Sequence, residues 1–404
     1  MEESRTLKTN PRPRPLTDFL RTESGGAAVL LAATALALLW ANSPFADGYV
    51  SFWGTELSIG WGDLSITEDL QHWVNDGLMA IFFFVVGLEV KRELVEGELR
   101  DPRAAALPVI AAIVGLALPA AIYLLFASGT EATAGWAIPV ATDIAFALGI
   151  LALLGDRIPK GLKVFLLTVA IADDIGAILI IAIAFSKGID PIWLATAVGG
   201  LAAIAVMRRF IHEPWAYVPL ALIVWIATLE SGIHATLAGV ALGLLTPTGE
   251  IDGRPILIDL EHRFHPISSY AVLPIFALAN AGVVISGEIL VESLTGPIGL
   301  GIVAGLVLGK SLGISAGVGG ALASGIGRRP IGIKRRQLIA VAPLAGVGFT
   351  VSLFISDLAF DDAGMLAAAK IGVLVGSLLS GLLGAALLLA VTKGQGSAIT
   401  DKTT

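Results

Sequence analysis

Runs of about 20 mostly apolar residues, each closed by a polar or Pro/Gly-rich break, recur along the chain from residue 25 to residue 391. That is the length and pattern a membrane-crossing helix requires. The runs predict about twelve spans, near residues 25–42, 70–92, 105–127, 133–155, 161–186, 191–207, 216–229, 233–246, 266–285, 297–322, 336–358 and 363–391. The seventh and eighth are short. Residues 216–246 also read as one long broken span, which would reverse the direction of everything after it. The basic residues decide between the two. With twelve spans and a cytoplasmic N-terminus, every one of the 26 Lys and Arg residues falls in an inside segment except Lys187, which is outside, and Lys310 and Lys370, which lie within spans. Wrong parity would hardly produce such a bias under the positive-inside rule.

This reading gives an all-α polytopic membrane protein with one transmembrane domain at 23–392, flanked by cytoplasmic segments at 1–22 and 393–404. The polar, proline-containing leader is long for the n-region of a signal peptide, so the first span reads as retained. Val50 to Ile66 alternates apolar and polar residues around Gly60 and Gly62, which predicts an external β-hairpin. A plain surface loop is the alternative; a hairpin would offer a pairing edge for a homodimer.

Composition makes the bilayer the solvent: 55% of the 404 residues are hydrophobic, 15% are charged and the mean hydropathy is +0.84. Membrane lipid is therefore the first partner. The net charge of -7 argues against nucleic acid as another. The absence of cysteine removes disulfides, thiolate metal sites and cysteine nucleophiles together.

Against that background four ionisable residues stand out: Asp143 in the fourth span, Asp173 and Asp174 in the fifth, and Lys310 in the tenth. At about 1.5 Å per residue each lies about 15 to 20 Å into its helix, half-way through a core about 30 Å thick. A mid-membrane Asp or Lys costs about 2.5 to 3.5 kcal/mol, on the order of 10 kcal/mol for four facing lipid, so they must face a cavity or one another. A static Asp–Lys packing device would explain one carboxylate. Three carboxylates with one lysine leave surplus oxygens, which a hard cation such as sodium satisfies. Adjacent helix positions are about 100° apart, so Asp173 and Asp174 serve one ion only where a neighbouring segment wraps around them.

Broken helices would supply that segment. The fourth span reads GWAIPVATDIAFALG, with Pro139 just before Thr142 and Asp143; the eleventh reads APLAGVGFTVSLFIS, with Pro343, Gly346 and Gly348 before Thr350. Proline removes a helix hydrogen bond and strains the preceding turn, freeing carbonyls at mid-depth. The fourth span runs inward and the eleventh outward, and the third and fifth likewise oppose the tenth and twelfth. Opposed directions with matching breaks indicate inverted repeats, about 105–186 and 297–391, whose fourth and eleventh spans cross as interrupted helices and form an ion site.

The segments VNDGLMAIFFFVVGLEVKREL (74 to 94), ATDIAFALGILALLGDRIP (141 to 159), LKVFLLTVAIADDIGAILIIA (162 to 182), SGIHATLAGV (231 to 240), LEHRFHP (260 to 266) and LPIFALANAGV (273 to 283) closely resemble the NhaA sodium/proton antiporters of bacteria. The likeness runs from about Arg21 to the last span. That family is itself known for inverted repeats, so the two readings are not independent. The resemblance implies a bacterial inner-membrane protein with no resident cofactor, exporting sodium, and lithium with it, for protons. It places Asp173 and Asp174 as the paired ion-binding and proton-carrying carboxylates, Thr142 and Asp143 in the unwound crossing, and Lys310 as charge partner of the first aspartate; Thr350, at the break of the eleventh span, is added to the crossing from the chain's own pattern. Glu89, Arg92, Glu93, His234 and Glu261 match positions linked to pH response. Asp76 matches an acidic position nearer the outer end, where helix packing explains it equally well. Lys370 either snorkels outward or neutralises carbonyls of the crossing. His262 and His265 fall in a cytoplasmic loop and read as surface residues.

The implied mechanism is competition: a desolvated carboxylate holds a proton or a cation, and the adjacent pair titrates as one unit. More than one proton per sodium moves net charge, and the membrane potential then contributes about 2.3 kcal/mol per charge per 100 mV. Other readings stay open at this point. A sodium-coupled symporter would move an organic solute, an intramembrane aspartyl protease would cleave peptides between Asp143 and Asp174, and an inert scaffold would carry its charges to no purpose.

Overall fold

The computed structural model describes residues 15–61, 64–186, 188–211, 213–251 and 253–392. Residues 1–14 of the expected cytoplasmic segment at 1–22, the expected segment at 393–404, Gly62 of the hairpin and Lys187 lie outside the described residues. Helices make up most of the described residues, as the apolar runs predict. Among the described residues five stretches are long and apolar enough to cross a membrane: Ser24–Ala41, Pro102–Ala127, Lys160–Ala184, Pro297–Ala323 and Ala363–Thr392. Two pairs, Glu131–Val140 with Ile144–Leu153 and Arg335–Gly346 with Phe349–Ala359, pass the same test together but bend by 44° at a short break. Pro191–Met207, Pro214–Glu230 and Thr236–Leu245 are shorter apolar helices. Three helices run on through a π turn: residues 70–95, with the turn at Trp73–Leu78, residues 256–280, with the turn at Ser268–Val272, and residues 297–323, with the turn at Gly305–Gly309.

Helix starts follow local chemistry. Asp101 and Asp190 each precede a proline and accept backbone N–H bonds from the first turn, from Arg103 and from Ile192 and Trp193. Proline loses nothing at that position, where its missing N–H would have had no helical partner.

Tertiary packing uses small residues, because lipid removes the hydrophobic drive between helices and leaves close contact to hold them. The 297–323 helix carries a glycine every fourth residue. A Cβ added at Gly309, Gly313 or Gly317 would lie 2.6 to 2.7 Å from backbone atoms of Pro119, Val114 or Ala111. On the other flank of the 102–127 helix, a Cβ at Gly176 would come within 2.4 Å of Leu116. The 102–127 helix is thus wedged between the 160–184 and 297–323 helices, and that wedge sets where their buried charges meet.

Two expectations need correction. The ninth helix begins at Ile256, about ten residues before the expected 266, and ends at Asn280, so Glu261, His262 and His265 are helical rather than in a loop. Partners on the 70–95 helix hold its polar first turns. The hairpin is displaced: Ala46–Trp53 is helical, and the antiparallel strands are Glu56–Trp61 and Leu64–Asp69, registered Ile59 to Ile66. Tyr49 and Trp53 are buried and anchor that short helix. The Tyr49 hydroxyl donates toward the carbonyls of Leu278 and Ala279 at 2.9 Å each and accepts from Gly282 N, and burial pushes its phenol up to about 12. Two elements went unforeseen, the Gly287–Thr295 helix and a second hairpin pairing Glu250–Ile251 with Arg254–Pro255.

Candidate functional site

At the first bend the chain leaves a 3-10 helix after Pro139 and runs extended through Ala141 to Asp143 before the Ile144–Leu153 helix begins. At the second, the Ala342–Gly346 turn gives way to extended Val347 ahead of Phe349–Ala359. The groups freed at each break pair with the other break. Asp143 N donates to Val347 O at 2.6 Å, Thr142 Oγ1 to Ala345 O at 2.7 Å and Ser352 Oγ to Ile138 O at 2.7 Å. Gly346 sits where a Cβ would stand 2.1 Å from Leu306 O, so only glycine admits this approach.

The Asp143 carboxylate joins the two half-helices that start here. Oδ1 accepts from Phe146 N at 3.0 Å, and Oδ2 from Thr350 N at 3.1 Å and Thr350 Oγ1 at 2.6 Å. Both helix N-termini present their positive dipole ends to it. Thr142, Asp143 and Thr350 therefore come together, with the Asp143 carboxyl fixed between the two breaks.

The paired aspartates diverge. Asp173, 1% exposed, faces Lys310, which is fully buried; Lys310 Nζ donates to Oδ1 at 2.7 Å and Oδ2 at 2.6 Å. Asp174, 6% exposed, has no hydrogen-bond or ion-pair partner among the described residues. It lines a cavity of about 40 Å³ together with Glu89, Thr142, Asp143, His265, Ser268, Ser269 and Thr350. That is room for a small ion or water. Asp174 lies in the field of Asp173, Glu89 and Asp143, opposed by Lys310. One carboxylate is neutralised by an ammonium and its neighbour is left open to a polar cavity, an arrangement suited to reversible capture of a cation or a proton.

Glu89, Arg92, Glu93 and Glu261 gather at the end of the 70–95 helix. Arg92 Nη1 lies 2.6 Å from Glu261 Oε1, and Glu93 Oε1 accepts from Glu98 N and Thr168 Oγ1. His234 is elsewhere, its Nε2 3.0 Å from Phe185 O. Lys370 is buried on the last helix in the field of Asp357, and Asp76 lies at the other end of the 70–95 helix from Glu89.

The sequence reading missed His265. It is buried, its Nε2 lies 3.7 Å from Glu89 Oε1, and it lines the Asp174 cavity rather than the surface. The signal was present, since Glu261, His265 and Ser269 fall four residues apart along one helix face.

Comparison with known proteins agrees in one direction. The family model described as Na+/H+ antiporter 1 matches residues 17–388. An Na(+)/H(+) antiporter NhaA of Shewanella sp. strain MR-4 is 46% identical over 95% of this chain and 99% of its own length. NhaA 1 of Erythrobacter litoralis is 47% identical over 93% and 92%, and NhaA 3 of Frankia alni 41% over 95% and 93%.

Proposed function

The chain belongs to the Na+/H+ antiporter family whose model spans it, a family of membrane transporters rather than enzymes, and from that premise we propose that it exports sodium, and lithium, through Asp173 and Asp174. Protons return in exchange. The observation that carries the reading is Asp174: a buried carboxylate with no hydrogen-bond or ion-pair partner among the described residues, opening on a polar cavity beside a neighbour whose charge is already met by Lys310.

The cycle follows from competition for those oxygens. With protons lost to the cytoplasm, the carboxylates bind sodium, and Thr142 and Thr350 at the crossing contribute further oxygens. Rocking of one bundle against the other opens the site outward, where protons displace the ion. Two carboxylates passing through the cycle carry more than one proton per sodium, which makes the exchange electrogenic. Glu89 and His265 line the same cavity, and with Arg92, Glu93 and Glu261 near them they support regulation by pH, with His234 a separate contributor. Lys370 is read as a charge that compensates the broken helices. No resident cofactor is required.

The topology is part of the proposal: twelve spans in two inverted repeats, the interrupted fourth and eleventh crossing at the site, both termini cytoplasmic, in a bacterial inner membrane. So is a homodimer joined through the 56–69 hairpin. Deleting that hairpin should leave a monomer by light scattering in detergent; a persisting dimer places the contact elsewhere. The function itself is tested in everted vesicles loaded with a pH-sensitive dye. Sodium and lithium should dequench it, increasingly as pH rises, and potassium should not. A response that requires an organic solute would instead make this chain a symporter.

A further inference from the structure

Away from the Asp174 cavity lies a second buried polar assembly, drawn from four helices. Asn75 Nδ2 donates to Asp357 Oδ2 at 2.7 Å, Asn280 Nδ2 to Asn75 Oδ1 at 2.7 Å and Gln71 Nε2 to Asn280 Oδ1 at 3.0 Å. Lys370, 7% exposed, makes no hydrogen bond or ion pair with a described residue and lies in the field of Asp357. His72 and Asp76 feel the same carboxylate.

Its position relative to the cavity is ordered. Along residues 70–95 the chain places Asn75, then Phe83, then Glu89; along 256–280 it places Asn280, Phe276 and His265; along 349–359, Asp357, Phe354 and Thr350. Glu89, His265 and Thr350 line the Asp174 cavity. The buried phenyl rings pack together, Phe83 against Phe354 at 5.5 Å and Phe276 against Phe354 at 6.4 Å between centroids. Asp357 is seven residues from Thr350, about 10 Å along the helix. Three helices thus repeat one order: cavity polar group, aromatic layer, second polar group.

Amides alone would serve as glue between membrane helices. Glue needs neither a carboxylate nor a buried ammonium, both of which are costly at depth. Carboxylate and amide oxygens are instead the hard donor set that an alkali cation takes. We propose that Asp357, Asn75 and Asn280 form a second, outer station for the transported alkali cation, separated from Asp174 by the phenylalanine layer, with Lys370 as the positive charge that competes with the cation there. This rests on the antiport reading and extends it to a new set of residues.

The test is sidedness. Sodium KM is measured in vesicles of both orientations, with sodium supplied at the hairpin face or at the opposite face. Asp357→Asn raises KM at the hairpin face about tenfold, the change expected from losing one charged ligand. At the opposite face it changes KM less than about twofold, within the error of one weak contact, and Asp357→Glu restores the hairpin-face value. Lys370→Gln lowers KM at the hairpin face, a gain that a merely structural Asp357–Lys370 pair cannot give, and it carries the test alone where Asp357→Asn does not insert. A symmetric rise at both faces, or a higher KM in Lys370→Gln, overturns the outer station while leaving the antiport reading intact. Absence of sodium-driven proton movement in the unmodified protein overturns both.

Discussion

Asp174→Asn should insert and fold but exchange no sodium for protons, its sodium-dependent flux falling about a hundredfold or more, because several kcal/mol of charged ligation is lost. The stability change should have the opposite sign. Asp174 is buried without a partner among the described residues, so the folded protein bears the desolvation of its charge with no offsetting bond. An amide of the same shape removes that penalty, and the variant should melt at a higher temperature in detergent at alkaline pH. Gain of stability with loss of exchange marks a group kept for function. Retained exchange would remove Asp174 from the mechanism.

Lys310→Ala behaves in the reverse way. Its ammonium lies 2.6 Å from Asp173 Oδ2 in a site with almost no solvent contact. Removing one member of a buried pair strands the other charge and costs about 3 to 5 kcal/mol. The double variant Asp173→Asn with Lys310→Ala should recover most of that loss, which a double-mutant cycle of melting midpoints measures. Where Lys310→Ala still transports, its activity profile should move toward alkaline pH, since loss of the positive neighbour strengthens the hold of the site on protons. An unchanged profile would reduce Lys310 to a structural cation.

Much of this architecture is visible in the chain before any coordinates. Apolar runs near 102–127, 160–184, 297–323 and 363–392 are bounded by prolines and charges, and their helices begin and end within a few residues of the expected positions. Pro139, Gly346 and Gly348 stand at the two bends because the backbone must leave the helix there. The hundred-degree step between consecutive residues already required Asp173 and Asp174 to face different neighbours. Which of them meets Lys310 was not legible from that step, because it depends on how the glycine stripe of the 297–323 helix seats against residues 110–119.

The first turns of the 256–280 helix were hidden for a related reason. Asp259, Glu261, His262, Arg263 and His265 make the segment too polar for a lipid-facing run, yet Arg92 and Glu89 on a neighbouring helix give Glu261 and His265 buried partners. Asn75, Asn280 and Asp357 escaped notice likewise. Each is a polar residue near the end of a span, and only packing shows that they join.

The central claim is that sodium and protons compete for the same carboxylate oxygens. Its most direct test is proton release on sodium addition to purified protein in weak buffer at alkaline pH, followed with a pH indicator alongside calorimetric binding. The account predicts that sodium expels protons from the unmodified protein as it binds, and that Asp174→Asn neither binds sodium nor releases protons. Sodium binding with no proton released, or equal release from Asp174→Asn, would contradict it.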